Sequence, residues 1–203
     1  MNHSMDYFIA GLVGFFAGIF AIPILINIGL GAWFLLFAAP WAGACLIIAV
    51  VLAGRVAGRW ISVLAQFSRF ASIGFLNTAI DFGILNLLSM ISGVTAGVIV
   101  GGVNLPGFSI AVLNSYTWNK LWVFKDTPPG ERFFHDFPKF LAVTGIGVLI
   151  NSGVVIILTT YAAPLAAIAP ELRLNIAKII ATMVTLLWNF TGYKLVVFRA
   201  RPE

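Results

Sequence analysis

The chain has 203 residues, 61% of them hydrophobic and only 9% charged, with a mean hydropathy of +1.03. No soluble domain of this length keeps so much apolar surface out of water, so a globular cytosolic enzyme is excluded. The net charge of +5 fits basic residues flanking membrane spans better than a nucleic-acid surface.

An N-terminal cleaved leader is not expected: Met1 to Asp6 holds no Lys or Arg, and no small-x-small site closes a short apolar run. A helix needs ~20 mainly apolar residues to cross the hydrocarbon. Six such runs follow in order, at 7–28, 32–54, 70–91, 96–118, 140–162 and 174–197. The first two are parted only by Asn27-Ile28-Gly29-Leu30-Gly31 and contain Pro23 and Pro40, so a re-entrant hairpin is an alternative to two full spans there. Gly11, Gly14 and Gly18 share one face of the first run, and Gly54 and Gly58 form G-x-x-x-G. Both patterns imply close helix packing, within the chain or in a homo-oligomer. The lone cysteine, Cys45, and the two distant histidines, His3 and His135, form no disulfide framework or metal site.

With six spans, Arg55, Arg59, Arg69, Lys120, Lys125, Arg132, Lys139, Lys194, Arg199 and Arg201 fall on one side, leaving only Arg173 and Lys178 near the other. The excess of basic residues places both termini in the cytoplasm, in a cytoplasmic (inner) membrane. The stretch from Glu131 to Phe140 mixes charge with four phenylalanines. It reads as an interfacial segment or as an ordinary polar loop. Trp118, Trp122, Trp188 and Tyr193 read as interfacial anchors.

The last four spans contain a repeat. Arg69-Phe70 recurs as Lys139-Phe140, and Asp81 meets Asn151 at the same offset. The fourth span closes Ser115-Tyr-Thr-Trp-Asn-Lys-Leu-Trp-Val-Phe124, and the sixth Asn189-Phe-Thr-Gly-Tyr-Lys-Leu-Val-Val-Phe198. The expected fold is therefore an all-α polytopic membrane protein of six transmembrane helices. Residues 1–60 form an added hairpin, and 67–203 a four-helix domain of two parallel repeats, 69–124 and 139–198.

These motifs resemble the GtrA-like family. Arg69-Phe70 with Gly74-Phe-Leu-Asn-Thr-Ala-Ile-Asp-Phe82 is similar to its opening motif, and 116–124 and 190–198 to its paired closing motifs. The resemblance covers about 67–199. It implies a small non-enzymatic membrane protein that moves polyprenyl-phosphate-linked sugars for surface polysaccharide or glycan synthesis. The chain departs from the four-span pattern by its N-terminal hairpin, and Tyr193 stands where the first repeat has Asn119.

Polar residues in the spans are costly, ~2.5–3.5 kcal/mol for a charge. Asp81 lies twelve residues past Arg69, about 18 Å along a helix. Lys178 lies sixteen residues before Lys194, about 24 Å. The two could pair, either as a node for a passing headgroup or as a structural ion pair. Asn175, Lys178, Thr182, Thr185 and Asn189 form one helical stripe, Asn77 lies one turn before Asp81, and Thr144 and Asn151 share a face. With Asn114, the residues Asn77, Asp81, Asn151, Lys178, Thr182, Thr185 and Asn189 are candidates to line a groove. The plainer reading is interhelical hydrogen bonding. Arg69, Lys120, Lys139 and Lys194, with Asn119, are candidates for binding a lipid phosphate. Topology alone also demands basic residues there.

No P-loop, dinucleotide motif or catalytic triad occurs, and no cofactor is expected. The leading expectation is ATP-independent flipping of a polyprenyl-phosphate-linked sugar, with membrane lipids as partners, a glycosyltransferase or a second copy as candidate partners, and no nucleic acid. One alternative is a membrane anchor for a cytoplasmic glycosyltransferase, docked on the basic 120–139 loop. Another is a cation-drug exporter coupled to protons through Asp81.

Overall fold

The computed structural model is built of helices joined by short turns over its described residues, which are 3–93, 99–125, 132–160 and 170–198. Side chains at 3, 99–104, 152, 155, 159–160 and 170–179 fall outside the description. The helices are α1 (His3–Asn27), α2 (Trp33–Ala57), α3 (Val63–Ser92), α4 (Ile99–Trp118), α5 (Phe137–Thr160) and α6 (Pro170–Gly192). α4 and α6 each run on into a π-helical turn, Asn119–Val123 and Tyr193–Val197. Among the described residues five helical segments are long and apolar enough to cross a membrane: Ser4–Asn27, Trp33–Ala57, Val63–Ser92, Phe137–Leu158 and Ile180–Val197. The protein is a membrane protein with several apolar helices.

α1 and α2 are each 25 residues long and continuous through Pro23 and Pro40. At 1.5 Å per residue each measures about 37 Å, enough for the ~30 Å hydrocarbon. The two helices therefore have the length of full spans rather than of re-entrant segments. α3 has 30 residues and starts seven before the expected span. Gln66, Ser68 and Arg69 lie in that extension, and a search for apolar runs passes over such residues.

Two compact units make up the chain, residues 1–125 and 126–203. In the first unit the expected small-residue contacts are made within the chain. A side chain added at Gly14 would overlap the Gly43 carbonyl of α2, and one at Gly54 would overlap Ser68 of α3. Only hydrogen in place of Cβ lets the Gly14 backbone come so close to that of α2 and leaves room at Gly54 for the Ser68 side chain. Gly83 of α3 stands equally close to the Phe20 carbonyl of α1. The N-terminal hairpin and the first repeat thus share one core, with Val13, Ala17, Ile47, Ile73 and Leu76 buried.

The second unit pairs α5 with α6. Phe137 stacks on Phe140 (6.1 Å between centroids, 15°), and Phe140 on Tyr193 (4.6 Å, 28°). The stretch expected to lie on the leaflet is a turn at 133–136 leading into the first turn of α5. Its residue Asp136 is buried, and Phe134 extends the ring ladder onto Phe137 at 5.8 Å.

Candidate functional site

The two closing motifs share an unusual backbone. In the first, the Phe124 amide donates to the Asn119 carbonyl at 2.9 Å. In the second, the Phe198 amide donates to the Tyr193 carbonyl at 2.7 Å. Both are i to i+5 bonds, and each places its lysine second in the turn. Single π-turns of this kind concentrate at functional sites. The lysines are held alike, with Lys120 Nζ 5.9 Å from the Tyr116 ring centre and Lys194 Nζ 5.8 Å from that of Phe190. Each ring lies four residues back, one turn away, and gives the ammonium a cation–π partner.

Burial separates the two. Lys120 is 2% exposed, whereas Lys194 is exposed. The first turn is packed from several sides. Gln66 Nε2 donates to the Val123 carbonyl at 3.3 Å, and Asn119 Nδ2 to the Ser115 carbonyl at 2.8 Å. Asn119 is itself buried, its Oδ1 without a hydrogen-bond partner among the described residues. In the second turn Tyr193 Oη and Thr144 Oγ1 lie 2.7 Å apart, and Trp188 Nε1 donates to the Val143 carbonyl at 3.0 Å.

Trp122 and Tyr193 are not interfacial anchors. Both are buried, because their polar heads find protein partners rather than headgroups: Asp6 for Trp122 and Thr144 for Tyr193. Trp118 packs edge-on against Trp122 at 6.4 Å.

The cations that open the two repeats each have a carboxylate. Arg69 Nη1 lies 3.2 Å from Asp6 Oδ2, and Lys139 Nζ 3.7 Å from Asp136 Oδ1. Asp6 was missed as a site residue in the sequence. It is the only acidic residue before Asp81. That isolation, among arginines that need partners, was the available signal. Beside it Arg55 reaches Tyr7, with Nη1 3.4 Å from the hydroxyl and the guanidinium 5.7 Å from the ring centre.

The polar residues at membrane depth are largely paired inside their own hairpins. Asn114 Nδ2 donates to Asn77 Oδ1 at 2.7 Å across α3 and α4. Asn151 Nδ2 donates to Thr185 Oγ1 at 3.2 Å across α5 and α6, and Thr185 Oγ1 donates back to the Ala181 carbonyl at 2.8 Å. Thr182 is exposed. Among the described residues Asp81 Oδ1 and Asn189 Oδ1 are buried oxygens without a hydrogen-bond partner. Each faces a glycine: a side chain added at Gly107 would come within 3.3 Å of Asp81 Oδ1, and one at Gly147 within 2.5 Å of Asn189 Oδ1. The expected pairing of Asp81 with Lys178, and the Asn175 end of the stripe, fall on side chains outside the described residues.

An apolar cavity of about 290 Å³ adjoins the Asn77–Asn114 pair. Leu12, Phe16, Leu76, Ile80, Asn114 and Trp118 are among its lining residues. No cluster of three metal-ligating side chains occurs among the described residues.

The sequence model of the GtrA/DPMS transmembrane domain matches residues 69–198. Uncharacterized membrane protein YngA of Bacillus subtilis (strain 168) is similar to this chain, 26% identical over 151 residues that cover 70% of this chain and 86% of YngA. No solved structure matches.

Proposed function

The chain belongs to the GtrA/DPMS transmembrane-domain family, and from that premise we propose that it carries a polyprenyl-phosphate-linked sugar across the cytoplasmic membrane without ATP. Membership implies involvement with polyprenyl-phosphate sugars; the transport step is our reading. The observation that carries it is the repeated π-turn, which sets a lysine over an aromatic ring at the same place in both closing motifs. An ammonium fixed at a span terminus is suited to a lipid phosphate. Lys194 is the exposed one of the two and takes the phosphate first in this reading.

Asp81 and Asn189, each in its own unit, keep buried oxygens that hydrogen bonds among the described residues do not use. They are the positions where sugar hydroxyls would find acceptors during passage. Within the first unit Asn114 pairs with Asn77 one turn from Asp81, and within the second Asn151 pairs with Thr185 one turn from Asn189. Both termini lie in the cytoplasm in this reading, since ten of the twelve basic residues then face inward. Flux follows the gradient set by consumption of the lipid-linked sugar outside.

Reconstitution tests this. Liposomes carrying the protein should scramble a fluorescent polyprenyl-phosphate sugar, and Lys194→Met should slow that scrambling about tenfold, the equivalent of one charge-assisted hydrogen bond. Scrambling no faster than in protein-free vesicles would overturn the proposal.

A further inference from the structure

α1 and α4 both pack on α3, and the apolar cavity of about 290 Å³ lies between them. Leu76 and Ile80 of α3 are its buried floor. Phe16 of α1 and Ile110 of α4 also line it and are half-exposed, so it opens outward between those two helices. Asn114 in its wall gives its amide to Asn77.

Two contacts hold α1 and α3 in register along the cavity. At one end Asp6 Oδ2 lies 3.2 Å from Arg69 Nη1. At the other the Gly83 backbone lies against the Phe20 carbonyl. Fourteen residues separate these contacts on each helix, so the two helices run side by side at a constant offset. Asp6 also accepts from Trp122 Nε1 at 3.1 Å, which sets the start of α1 level with the π-turn that follows α4. Leu12 and Trp118 therefore line one end of the cavity, and Phe20 and Ile110 the other. The eight residues between them on either helix give it a length of about 12 Å.

That shape selects a branched chain. An apolar cavity of ~150 Å³ takes up benzene, with its six carbons, so this one has room for about twelve. An extended unbranched chain advances ~1.1–1.2 Å per bond and places only about ten carbons in that length. An isoprene unit carries its fifth carbon as a side methyl and fits five carbons into the length of four. About two and a half isoprene units thus satisfy length and volume together. Trp118 directly precedes the π-turn, so one end of the cavity lies at the terminus of the span, where the phosphate-bearing end of such a chain would sit.

We infer that this cavity is an isoprenoid slot, which grips the units nearest the phosphate of a polyprenyl lipid while the rest of the chain stays in the bilayer. The N-terminal hairpin completes the slot, since α1 supplies one wall. The inference rests on the proposed function for the lipid class. The preference for a branched chain comes from the cavity itself.

The test uses the full chain in phosphatidylcholine nanodiscs, labelled with 5-fluorotryptophan, with the Trp118 resonance assigned by its loss in Trp118→Phe. Geranyl phosphate, which has two isoprene units, should shift that resonance, and inorganic phosphate should not. Decyl phosphate has the same number of carbons in an unbranched chain. It should bind roughly tenfold more weakly, because it leaves methyl-sized voids in the slot. Ile110→Phe puts a ring into the slot and should weaken geranyl phosphate by a similar factor.

Equal affinities for geranyl and decyl phosphate overturn the isoprenoid assignment and make the cavity an ordinary acyl-chain groove. A Trp118 resonance that geranyl phosphate leaves in place overturns the slot. So does a shift that inorganic phosphate reproduces, or a geranyl affinity unchanged in Ile110→Phe. Should that variant not fold, Leu12→Phe carries the same test from the α1 wall. Absent scrambling with the branched-chain preference intact overturns transport and supports the slot.

Discussion

Asn114 and Asn77 face each other across the α3–α4 hairpin, with the amide of Asn114 donating to the carbonyl oxygen of Asn77 at 2.7 Å. In a bilayer such a bond joins two helices without help from hydrophobic burial, since lipid is as apolar as the side chains around it. Single replacements by Ala should each cost ~0.6–1.7 kcal/mol. The double mutant should cost less than the sum of the two. Steric-trapping measurements in bicelles would read that coupling.

Tyr193 joins two contacts that substitution can separate. Tyr193→Phe removes the hydroxyl contact with Thr144 and leaves the ring on Phe140, at an expected cost of about 1 kcal/mol. Tyr193→Ala also removes the ring from a buried position and should cost ~3–5 kcal/mol. Thermal unfolding of the two variants in detergent gives the ordering.

Gly54 and Gly74 should respond oppositely to the same change. Alanine at Gly54 meets Ser68, whereas alanine at Gly74 meets nothing within 4 Å. Gly54→Ala should lower stability by ~1–3 kcal/mol through overpacking. Gly74→Ala should be neutral or slightly stabilising, because a helical alanine is favoured over glycine by about 1 kcal/mol. Limited proteolysis across a temperature series separates the two.

Asp81→Asn keeps the shape of the side chain and removes a charge whose Oδ1 has no hydrogen-bond partner among the described residues. Ionised carboxylates at membrane depth are unfavourable by ~2.5–3.5 kcal/mol, so melting temperature should rise. In the transport reading scrambling should fall in the same variant. A rise in both would assign Asp81 no part in passage.

The sequence made the apolar helices and the family legible, because each leaves a mark in residue type and spacing. Arg69-Phe70, the two Lys-x-x-Val-Phe endings and the long apolar runs are such marks. The partners of polar side chains were not legible. An amphipathic ring near a helix end has the same pattern whether its head faces headgroups or, as for Trp122, a carboxylate 116 residues away. The π-turns were equally hidden, since an i to i+5 bond depends on packing around the turn rather than on a residue such as Pro or Gly inside it. The stripe residues lie on α6. That Thr185 turns to Asn151 while Thr182 lies exposed depends on where α5 crosses it.

The length of α3 has a consequence for the choice of membrane. Thirty residues make a rod of about 45 Å, against a hydrocarbon slab of ~30 Å. The surplus is taken up by tilt or by emergence into the headgroup layers. The seven residues from Val63 to Arg69 account for about 10 Å of it. Lipid chain length would therefore set how deeply the Asp6–Arg69 pair is immersed, drawing it toward water in thin bilayers and toward oil in thick ones. Acyl-chain composition becomes a control on the protein that acts without touching a single residue.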